Sequence, residues 1–491
     1  MSDSNRVQLA RVRETTLGTT PDTPRMRKAR YTSAQLAYRP DFVMSDEIRD
    51  DGMNTDPIKV GESNGGTVGL EFSWPVDRHW ISEDIVSVLR SDWVNTPTRD
   101  NDGTADSVIT DVAETGGVYT VTSGAAFVAG QLVRCSGFGA SGNNGLKKIT
   151  TGSATVPAVG GSAGVVDEAA PAATARMKVV GFEGASGDLT ALADGLGSTS
   201  LDFTTLGLAA GQWVKIGGTG SGYRFGVEAL NGWARISGAP TATKLPLDNL
   251  PSGWATNDGS GKTLRVFFGD RIKNGVTKIG STFERGYLDH DTPTYIAEYG
   301  MTTDEMSFSI AARQKVTVTS TYVGMGGGIS TTPLDATPDA APEIADYPVL
   351  SAGANVGRIA EGGVPIAGPD FVKELGIRIK SNVREKPAVA SLAPADLGIG
   401  SCDVTVTPQT YFGSAGLYAK LMGGIATNMN VRAAKSGKAV IWGMPRLTPT
   451  EGNPDVGGKN QDVMLPLTLQ ASYDATTQAH ILIDRLEYYE D

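Results

Sequence analysis

Residues that commonly do chemistry are few and scattered in this chain. Its 491 residues include three histidines, His79, His290 and His480, and none is spaced like paired metal ligands on a helix. His290 lies between two aspartates, which favours a surface turn over a metal site. His79 precedes a predicted helix, where a capping or packing role is expected. We therefore predict no catalytic residue, no metal site, no cofactor and no enzymatic activity.

Three further motifs resemble known sites but lack the partners those sites need. The glycine-rich run 324–328 is not followed by Lys-Ser/Thr or by a predicted helix, so a phosphate loop is disfavoured. Cys135 has no histidine nearby to activate it, and Cys402 is too distant in sequence to indicate a disulfide framework, so both are predicted to be buried, reduced thiols. The acidic run 46–51 lacks calcium-loop spacing, which favours a charged strand edge or a subunit contact.

Composition excludes several classes of protein. The net charge of −11 and the pI near 5.0 argue against tight binding to a nucleic-acid backbone. No apolar run approaches the roughly 20 residues of a membrane helix, and the first residues lack the pattern of a secretory signal. The 62 glycines and the low charged fraction indicate a soluble, β-rich, multidomain protein.

Charge is distributed unevenly near the start of the chain. Residues 1–40 contain eight basic and three acidic residues, a net charge of +5, whereas residues 41–62 have a net charge of −5. The basic cluster at 25–30 can contact phosphate in principle, but the overall acidity favours an acidic protein surface as its partner.

A strand and a helix are predicted next along the chain. Residues 67–74 alternate between apolar and small or polar side chains, which predicts a strand with one buried face. A helix is predicted at 81–91, with Ser82 as a capping residue. Its apolar stripe includes Ile81, Ile85 and Leu89 and is expected to pack on a sheet.

Residues 102–269, here called the central segment, differ from both flanks. Charged residues make up roughly 14% of this segment and roughly 23% of the rest of the chain. Three short motifs recur in the same order at offsets of 81, 87 and 88 residues; they begin at Ala129 and Ala210, at Asn144 and Asn231, and at Thr174 and Lys262. We predict two small repeated β domains, at 102–186 and 187–269, inserted into one domain formed by residues 1–101 and 270–491.

After residue 270 the pattern predicts one antiparallel β domain. Residues 314–323 alternate over ten positions, and about five further strands are expected between residue 371 and the end of the chain. The stretch 324–370 is polar and rich in glycine and proline, so it is expected to be loop-rich and mobile unless another surface covers it.

The flanking segments resemble the tail tube proteins of long-tailed bacteriophages. The resemblance rests on five pieces in order: Glu14–Met26, Ser45–Asp51, the strand Gly66–Trp74 with the helix Ile81–Leu89, the segment Ser281–Arg285, and the turn Tyr299–Met301 with the strands after it. These pieces cover approximately residues 10–100 and 275–491. The central segment departs from the compact members of the family.

The resemblance implies a β-sandwich or barrel-forming domain with one flanking α-helix, assembled as stacked hexameric rings in the virion tail. Assembly would take place in the host cytoplasm, with the tape measure protein and tail-end proteins as further partners. The basic and acidic stretches would then be complementary surfaces of adjacent subunits. The candidate contact residues are Arg25, Arg27, Lys28, Arg30, Asp46, Glu47, Arg49, Asp50 and Asp51. Double-stranded DNA would pass through the lumen without specific binding, and an acidic lumen would repel its phosphates.

The role of the central segment stays open at this point. It is too large for a channel, so it is expected on the exterior. Three roles are open there: binding of host glycans, stabilisation of rings, and bulk alone. Two other assignments remain for the whole chain. One is a different virion part, such as a decoration or baseplate protein, and the other is a carbohydrate-binding or carbohydrate-cleaving surface protein.

Overall fold

The computed structural model describes residues 3–103 and 108–490. The first flanking segment forms β1 (Val7–Arg13), β2 (Arg27–Lys28), β3 (Ser33–Val43), β4 (Ile58–Glu71) and α1 (Trp80–Leu89). The following elements are β5 (Thr98–Asp100), β6 (Ile109–Ala113), β7 (Val118–Val121), β8 (Gln131–Ser136), β9 (Gly145–Lys148), β10 (Glu168–Ala169), β11 (Arg176–Glu183), β12 (Thr190–Leu192), β13 (Gly195–Gly197), β14 (Trp213–Ile216), β15 (Gly232–Ile236), β16 (Lys244–Asp248) and β17 (Arg265–Phe267).

The second flanking segment contains the remaining elements. They are β18 (Asp270–Lys273), β19 (Ser281–Tyr287), β20 (Thr294–Ala311), β21 (Thr317–Gly324), β22 (Gly326–Ser330), α2 (Ala352–Asn355), β23 (Val356–Glu361), β24 (Val364–Pro365), β25 (Val372–Lys380), β26 (Arg384–Lys386), β27 (Asp396–Gly398), β28 (Asp403–Tyr411), α3 (Gly416–Gly423), β29 (Thr427–Lys435), β30 (Lys438–Gly452), β31 (Met464–Ala471) and β32 (Leu482–Leu486).

The predicted mainly β fold is confirmed, but the prediction of a single helix is incomplete. Helices α2 and α3 have four and eight residues, and neither contains a buried residue. Such short helices do not produce a recognisable apolar stripe in the sequence. The stretch 324–370, expected to be loop-rich, contains β22, α2, β23 and β24, with the part from 331 to 351 free of named elements.

Eight antiparallel strands form the main sheet in the order β3–β4–β21–β20–β25–β28–β31–β30. Their apolar residues alternate toward one face, as Val318 and Ile377 illustrate, and this face covers a core that includes Phe72, Phe308 and Trp442. Strand β1 pairs with β19, and β19 and β22 each pair with the first half of β20. Together these strands close the other side of this core.

Strand β20 belongs to both layers because it contains a bulge at Gly300. The Tyr299–Met301 motif was expected to form a turn; instead it lies inside this 18-residue strand. Gly300 has φ of +67°, and a Cβ there would lie 2.7 Å from Cγ of Met325. The Glu14 carboxylate accepts hydrogen bonds from Gly300 N at 2.8 Å and Thr282 Oγ1 at 2.8 Å. The bulge therefore fastens the N-terminal motif to the second flanking segment.

Helix α1 packs against this double layer, as its stripe predicts. Ile85 and Leu89 are fully buried, and the Trp80 ring lies 4.7 Å from that of Phe283. The prediction of Ser82 as the cap is wrong. The N-cap residue is His79, whose side chain makes no capping bond, while the Ser82 hydroxyl accepts a hydrogen bond from Trp93 Nε1 at 2.9 Å inside the core.

The central segment has its own hydrophobic core, separate from that of the flanks. Strands β11 and β17 pair within it, as do β8 with β11 and β14 with β17. Asn144 and Asn231 occupy corresponding loops: the amide Oδ1 of each accepts from the backbone N of Phe138 or Phe225 at 3.0 Å. Strand β5 also pairs with β11, so the sheet of the central segment takes in residues just before 102.

Candidate functional sites

A long hairpin projects from one end of the main sheet. Strands β3 and β4 stay paired as far as Val43 and Ile58, whereas β21, the next strand, ends its pairing with β4 at Asn64. The two strands therefore continue for about six residues, or roughly 20 Å, beyond the sheet. We call residues 38–62 the hairpin arm; its connecting loop spans residues 44–57.

The hairpin arm presents many large apolar side chains to solvent. Its exposed apolar residues are Tyr38, Phe42, Val43, Met44, Ile48, Met53, Ile58 and Val60. Exposed apolar groups at this density mark an interaction surface on a soluble protein. Sequence reasoning missed this surface because it considered only the acidic residues among which these side chains are interspersed.

The predicted contact residues of the acidic stretch all lie on the loop of the hairpin arm. Asp46, Glu47, Arg49, Asp50 and Asp51 are exposed. Arg49 forms an ion pair with Asp51, and this hydrogen bond lowers the pKa of the Asp51 carboxyl. The remaining carboxylates of the loop stay at the tip, where another molecule can reach them.

The predicted basic contact residues are held differently. Nε of Arg25 and of Arg27 lie 2.8 and 3.2 Å from Oδ2 of Asp339, and Arg30 donates to the carbonyl oxygen of Tyr347 at 2.8 Å. Lys28 lies on the short strand β2. The basic cluster is thus anchored to the segment after β22, and the described contacts do not join it to the acidic loop of the same chain.

A polar cleft adjoins this basic cluster. It has a volume of about 430 Å³, and its lining includes Arg13, Arg25, Arg27 and Arg78 together with the carboxylates of Asp77, Glu83 and Asp92. Burial, reinforced by the Arg27 guanidinium, lowers the pKa of neighbouring His79 to about 4. His79 is therefore neutral at physiological pH and adds no charge to the cleft.

The solvent-facing side of the main sheet is rich in hydroxyl groups. One row of paired residues crosses all eight strands in the order Ser33, Gly69, Thr319, Ser307, Arg378, Thr405, Gln470 and Thr448. The row toward the hairpin arm contains Gln35, Thr67, Thr321, Glu305, Lys380 and Asp403; the row on the other side contains Glu71, Thr317, Ser309, Gly376 and Thr407. We call these three rows the hydroxyl face.

The charges on the hydroxyl face largely neutralise one another. Arg378 pairs with Glu305, and Lys315, at the start of β21, pairs with Glu71. The pairing with Arg378 lowers the pKa of Glu305, so both groups are ionised at neutral pH. The face therefore offers neutral hydroxyl groups and internally balanced ion pairs. Sequence reasoning did not predict it, although the alternation of threonine in β21 is a signal that could have found it.

The mainly β fold described above agrees with the result of a comparison with known protein families. Residues 236–471, just under half of the chain, match the family described as phage tail tube protein. This stretch is a phage tail tube protein region. The resemblance inferred from the flanking segments is thereby confirmed, and the chain has a structural role in a phage tail. The family is a structural one and is not a family of enzymes. A comparison with curated proteins gave no match.

The match to the tail tube family begins inside the central segment and ends with β31. It therefore includes six of the eight main-sheet strands, all except β3 and β4, and it does not include the hairpin arm. Among the described residues, no helix has the length and apolar character of a membrane span; α1, with ten residues, is the longest.

A buried polar junction fastens the central segment to the second flanking segment. Lys178 Nζ lies 2.6 Å from Asp270 Oδ2, which also accepts from Arg485 Nε at 2.9 Å. Burial would raise the pKa of Glu487, but Arg176 and Lys178 together lower it to about 2. The Glu487 carboxyl is thus ionised in the folded protein.

An apolar contact surrounds this network. Trp213 and Phe267 from the central segment pack with Ile441 and Leu486 of the second flanking segment. The ring of Trp233 lies 5.1 Å from that of Tyr489, near the end of the chain. The central segment therefore has a fixed position on strands β30 and β32.

The other residues that the sequence suggested as candidates for chemistry lie in structural surroundings. His290 is exposed in a turn, as expected, and its Nδ1 lies 2.8 Å from Thr294 Oγ1. Cys135 and Cys402 are free and buried, and burial raises the pKa of Cys135 to about 12. The glycine run at 324–328 lies in β21 and β22. Residues 3–103 and 108–490 contain no group of three or more potential metal ligands.

Proposed function

We propose that this chain is the repeating subunit of a phage tail tube, in which hexameric rings stack head to tail around a channel for the genome. The observation that carries the proposal is the hairpin arm, which projects about 20 Å from a tail-tube sheet and exposes eight large apolar side chains. An interface between different surfaces of identical chains either closes into a ring or continues as a filament, and a tube uses both arrangements.

Open sheet edges supply the contact needed within a ring. Within residues 3–103 and 108–490, strand β3 pairs with β4 alone over its eleven residues, so its other edge has backbone donors and acceptors that another subunit can reach. Pairing of such an edge with a neighbouring subunit would satisfy these groups and remove a site of aggregation. The basic residues Arg25 and Lys28 and the acidic loop at 46–51 remain candidates for contacts between subunits.

The hydroxyl face is the surface that we assign to the channel. Its strands run in the direction of the hairpin arm, so they lie along the tube axis if the arm reaches the next ring. A surface with clustered cations would bind DNA phosphates and hold the DNA. On the hydroxyl face, the cations are paired with carboxylates, Arg378 with Glu305 and Lys315 with Glu71, so the face has little net charge. This assignment replaces the expected acidic lumen with a neutral one that lets DNA pass without adhering.

We further propose that the central segment is a pair of repeated β domains on the outside of the tube. The matching loop bonds of Asn144 and Asn231 support a duplication. The buried junction around Asp270 favours a rigid brace over a flexible attachment. Glycan binding by this segment remains an outcome that a glycan array on the whole protein can reveal.

Electron microscopy of the purified chain tests the proposed function directly. Tubes or six-membered rings with a central channel are the expected result. Monomers or trimers at concentrations well above those needed for assembly would instead favour a decoration or baseplate protein. Tape measure and tail-end proteins are the partners to test next, by adding them to preformed rings.

A further inference from the structure

A second group of exposed apolar side chains lies on the tail tube region. Val364, Phe371, Met422, Ile425 and Val456 are each between 54% and 76% exposed. They belong to β24, the loop before β25, helix α3 with the residue pair after it, and the loop between β30 and β31. We call these five residues the end patch.

Hydrogen bonds hold the parts of the end patch together. The Phe371 carbonyl oxygen accepts from Tyr411 N at 3.0 Å, and Asp370 Oδ1 accepts from Ser414 N at 2.8 Å, just before α3. Lys420 of α3 forms an ion pair with Glu361 beside β24. The segments that carry Val364, Phe371, Met422 and Ile425 are thus connected to one another.

The end patch and the hairpin arm lie at opposite ends of the main sheet. Strand registers place Thr67, Glu305 and Lys380 in the row nearest the arm. Strand β25 runs from that row back to Val372, which pairs with Thr410 and follows Phe371 directly. The same strands therefore have the arm beyond one end and the patch at the other.

We propose that the end patch receives the hairpin arm of a second copy of this chain in the next ring. This inference rests on the proposed tube assembly and names the surface that accepts the arm. The arm extends about 20 Å past its own sheet, so in a head-to-tail stack it overlaps the following subunit and does not end at its rim. Apolar groups exposed at both ends of the free chain are then buried together.

The proposed contact also fits the energetics of a tube. Each contact buries a limited number of apolar side chains, so a single pair of subunits associates weakly. A ring presents every arm and every patch at once, and the linked contacts reinforce one another. A contact between two arms, by comparison, closes on itself and cannot extend a filament.

Cysteine cross-linking tests the proposal. In the variant with Ile48→Cys and Met422→Cys, mild oxidation of assembled tubes should give a ladder of covalent oligomers on a non-reducing gel. The native Cys135 and Cys402 are buried and do not compete. Either substitution alone should leave monomers, and so should the control pair Ile48→Cys with Val227→Cys, an exposed position on the central segment.

The outcomes separate this inference from the proposed function. Tubes that are visible by electron microscopy but give no ladder would overturn the inference, and dimers from Ile48→Cys alone would identify an arm-to-arm contact instead. If the unmodified chain forms no rings or tubes, the proposed function fails. A second variant, Met422→Asp with Ile425→Asp, should keep the melting temperature while reducing tube length at least tenfold, and tubes of normal length would contradict the proposal.

Discussion

Lys178 and Asp270 form a buried ion pair, with 2.6 Å between Nζ and Oδ2, that joins the central segment to the second flanking segment. Strand β11 supplies the lysine, and β18 supplies the aspartate. The Asp270 carboxylate also accepts from Arg485 at 2.9 Å and, through its other oxygen, from Thr96 N at 2.9 Å. Because these charges are desolvated, the junction tolerates little relative motion of its two sides.

Removing the lysine should therefore destabilise the protein strongly. The variant Lys178→Met leaves the Asp270 and Glu487 carboxylates with one cation fewer in a buried site, and we expect the free energy of unfolding to fall by about 3 kcal/mol. Urea denaturation measures the change. The control Lys244→Met breaks an exposed pair with Asp194, which solvent screens, and should cost much less stability than Lys178→Met. Equal losses in the two variants would contradict a special role for the junction.

The corresponding loops at Asn144 and Asn231 give a second prediction. Asn144 and Asn231 each make three hydrogen bonds to their own loop, including donation to Phe138 O at 2.9 Å and Phe225 O at 3.0 Å respectively. Substitution by alanine leaves backbone groups unpaired, so each variant should lose about 2 kcal/mol of stability. Thermal or urea unfolding of the two single variants should give similar losses. A large loss for one and none for the other would argue against equivalent repeats.

The sequence predicted these elements well where local pattern determines structure. The helix predicted at 81–91 is found at Trp80–Leu89, and the alternating segment at 314–323 is strand β21. The motif containing Gly300 was recognised, but its conformation was not. A left-handed residue inside a continuous strand depends on the long-range bond from Gly300 N to Glu14, which no local pattern reports.

For the candidate surfaces too, the sequence predicted what is visible locally and missed what depends on long-range contacts. The exposed acidic loop at 46–51 was predicted as a contact, because charge is visible in sequence. The end patch was not predicted, because Phe371 and Met422 are brought to one surface only by the pairing of distant strands. Arg27 and Arg30 were predicted as contacts with other subunits, yet they already bond to Asp339 and Tyr347 of the same chain.

Glu14 should be more important for stability than its position near the start of the chain suggests. Its carboxylate accepts hydrogen bonds from Gly18 N at 2.7 Å, Gly300 N at 2.8 Å and Thr282 Oγ1 at 2.8 Å. The variant Glu14→Ala leaves these donors without their acceptor and should lower the free energy of unfolding by about 3 kcal/mol. Glu451→Ala, on an exposed part of β30, is the matched control and should change it by less than about 0.5 kcal/mol. Loss of stability confined to the control would refute this explanation.

Asp484 should make the stability of the protein depend on pH. Its side chain is fully buried on β32; Oδ2 accepts from Trp213 N at 3.2 Å, and no described residue donates to Oδ1. Burial raises the pKa of Asp484 to about 8. Between about pH 4 and pH 8 the folded state keeps a proton that the unfolded state has released, so the contribution of Asp484 to stability falls as pH rises.

The variant Asp484→Asn should remove this dependence. Relative to the unmodified protein, the variant should gain stability between pH 5 and pH 7.5, by at most about 1.4 kcal/mol per pH unit. Urea midpoints at the two pH values measure the difference. Asp258→Asn, in an exposed turn, should leave the pH profile unchanged. A profile for Asp484→Asn parallel to that of the unmodified protein would show that this carboxyl titrates alike in both states.

Lysines on the hydroxyl face should slow the passage of DNA. Thr319 and Thr405 lie in the row that crosses all eight strands, and in a six-membered ring the variant Thr319→Lys with Thr405→Lys adds twelve positive charges to the proposed channel. Tubes should still assemble, because both side chains point away from the core. Release of DNA from phage particles carrying the variant should be several-fold slower at low salt and should recover as salt screens the phosphates. Thr155→Lys with Ser200→Lys puts the same charge on the central segment and should leave release unchanged; slowing by this control alone would place the channel on a different surface.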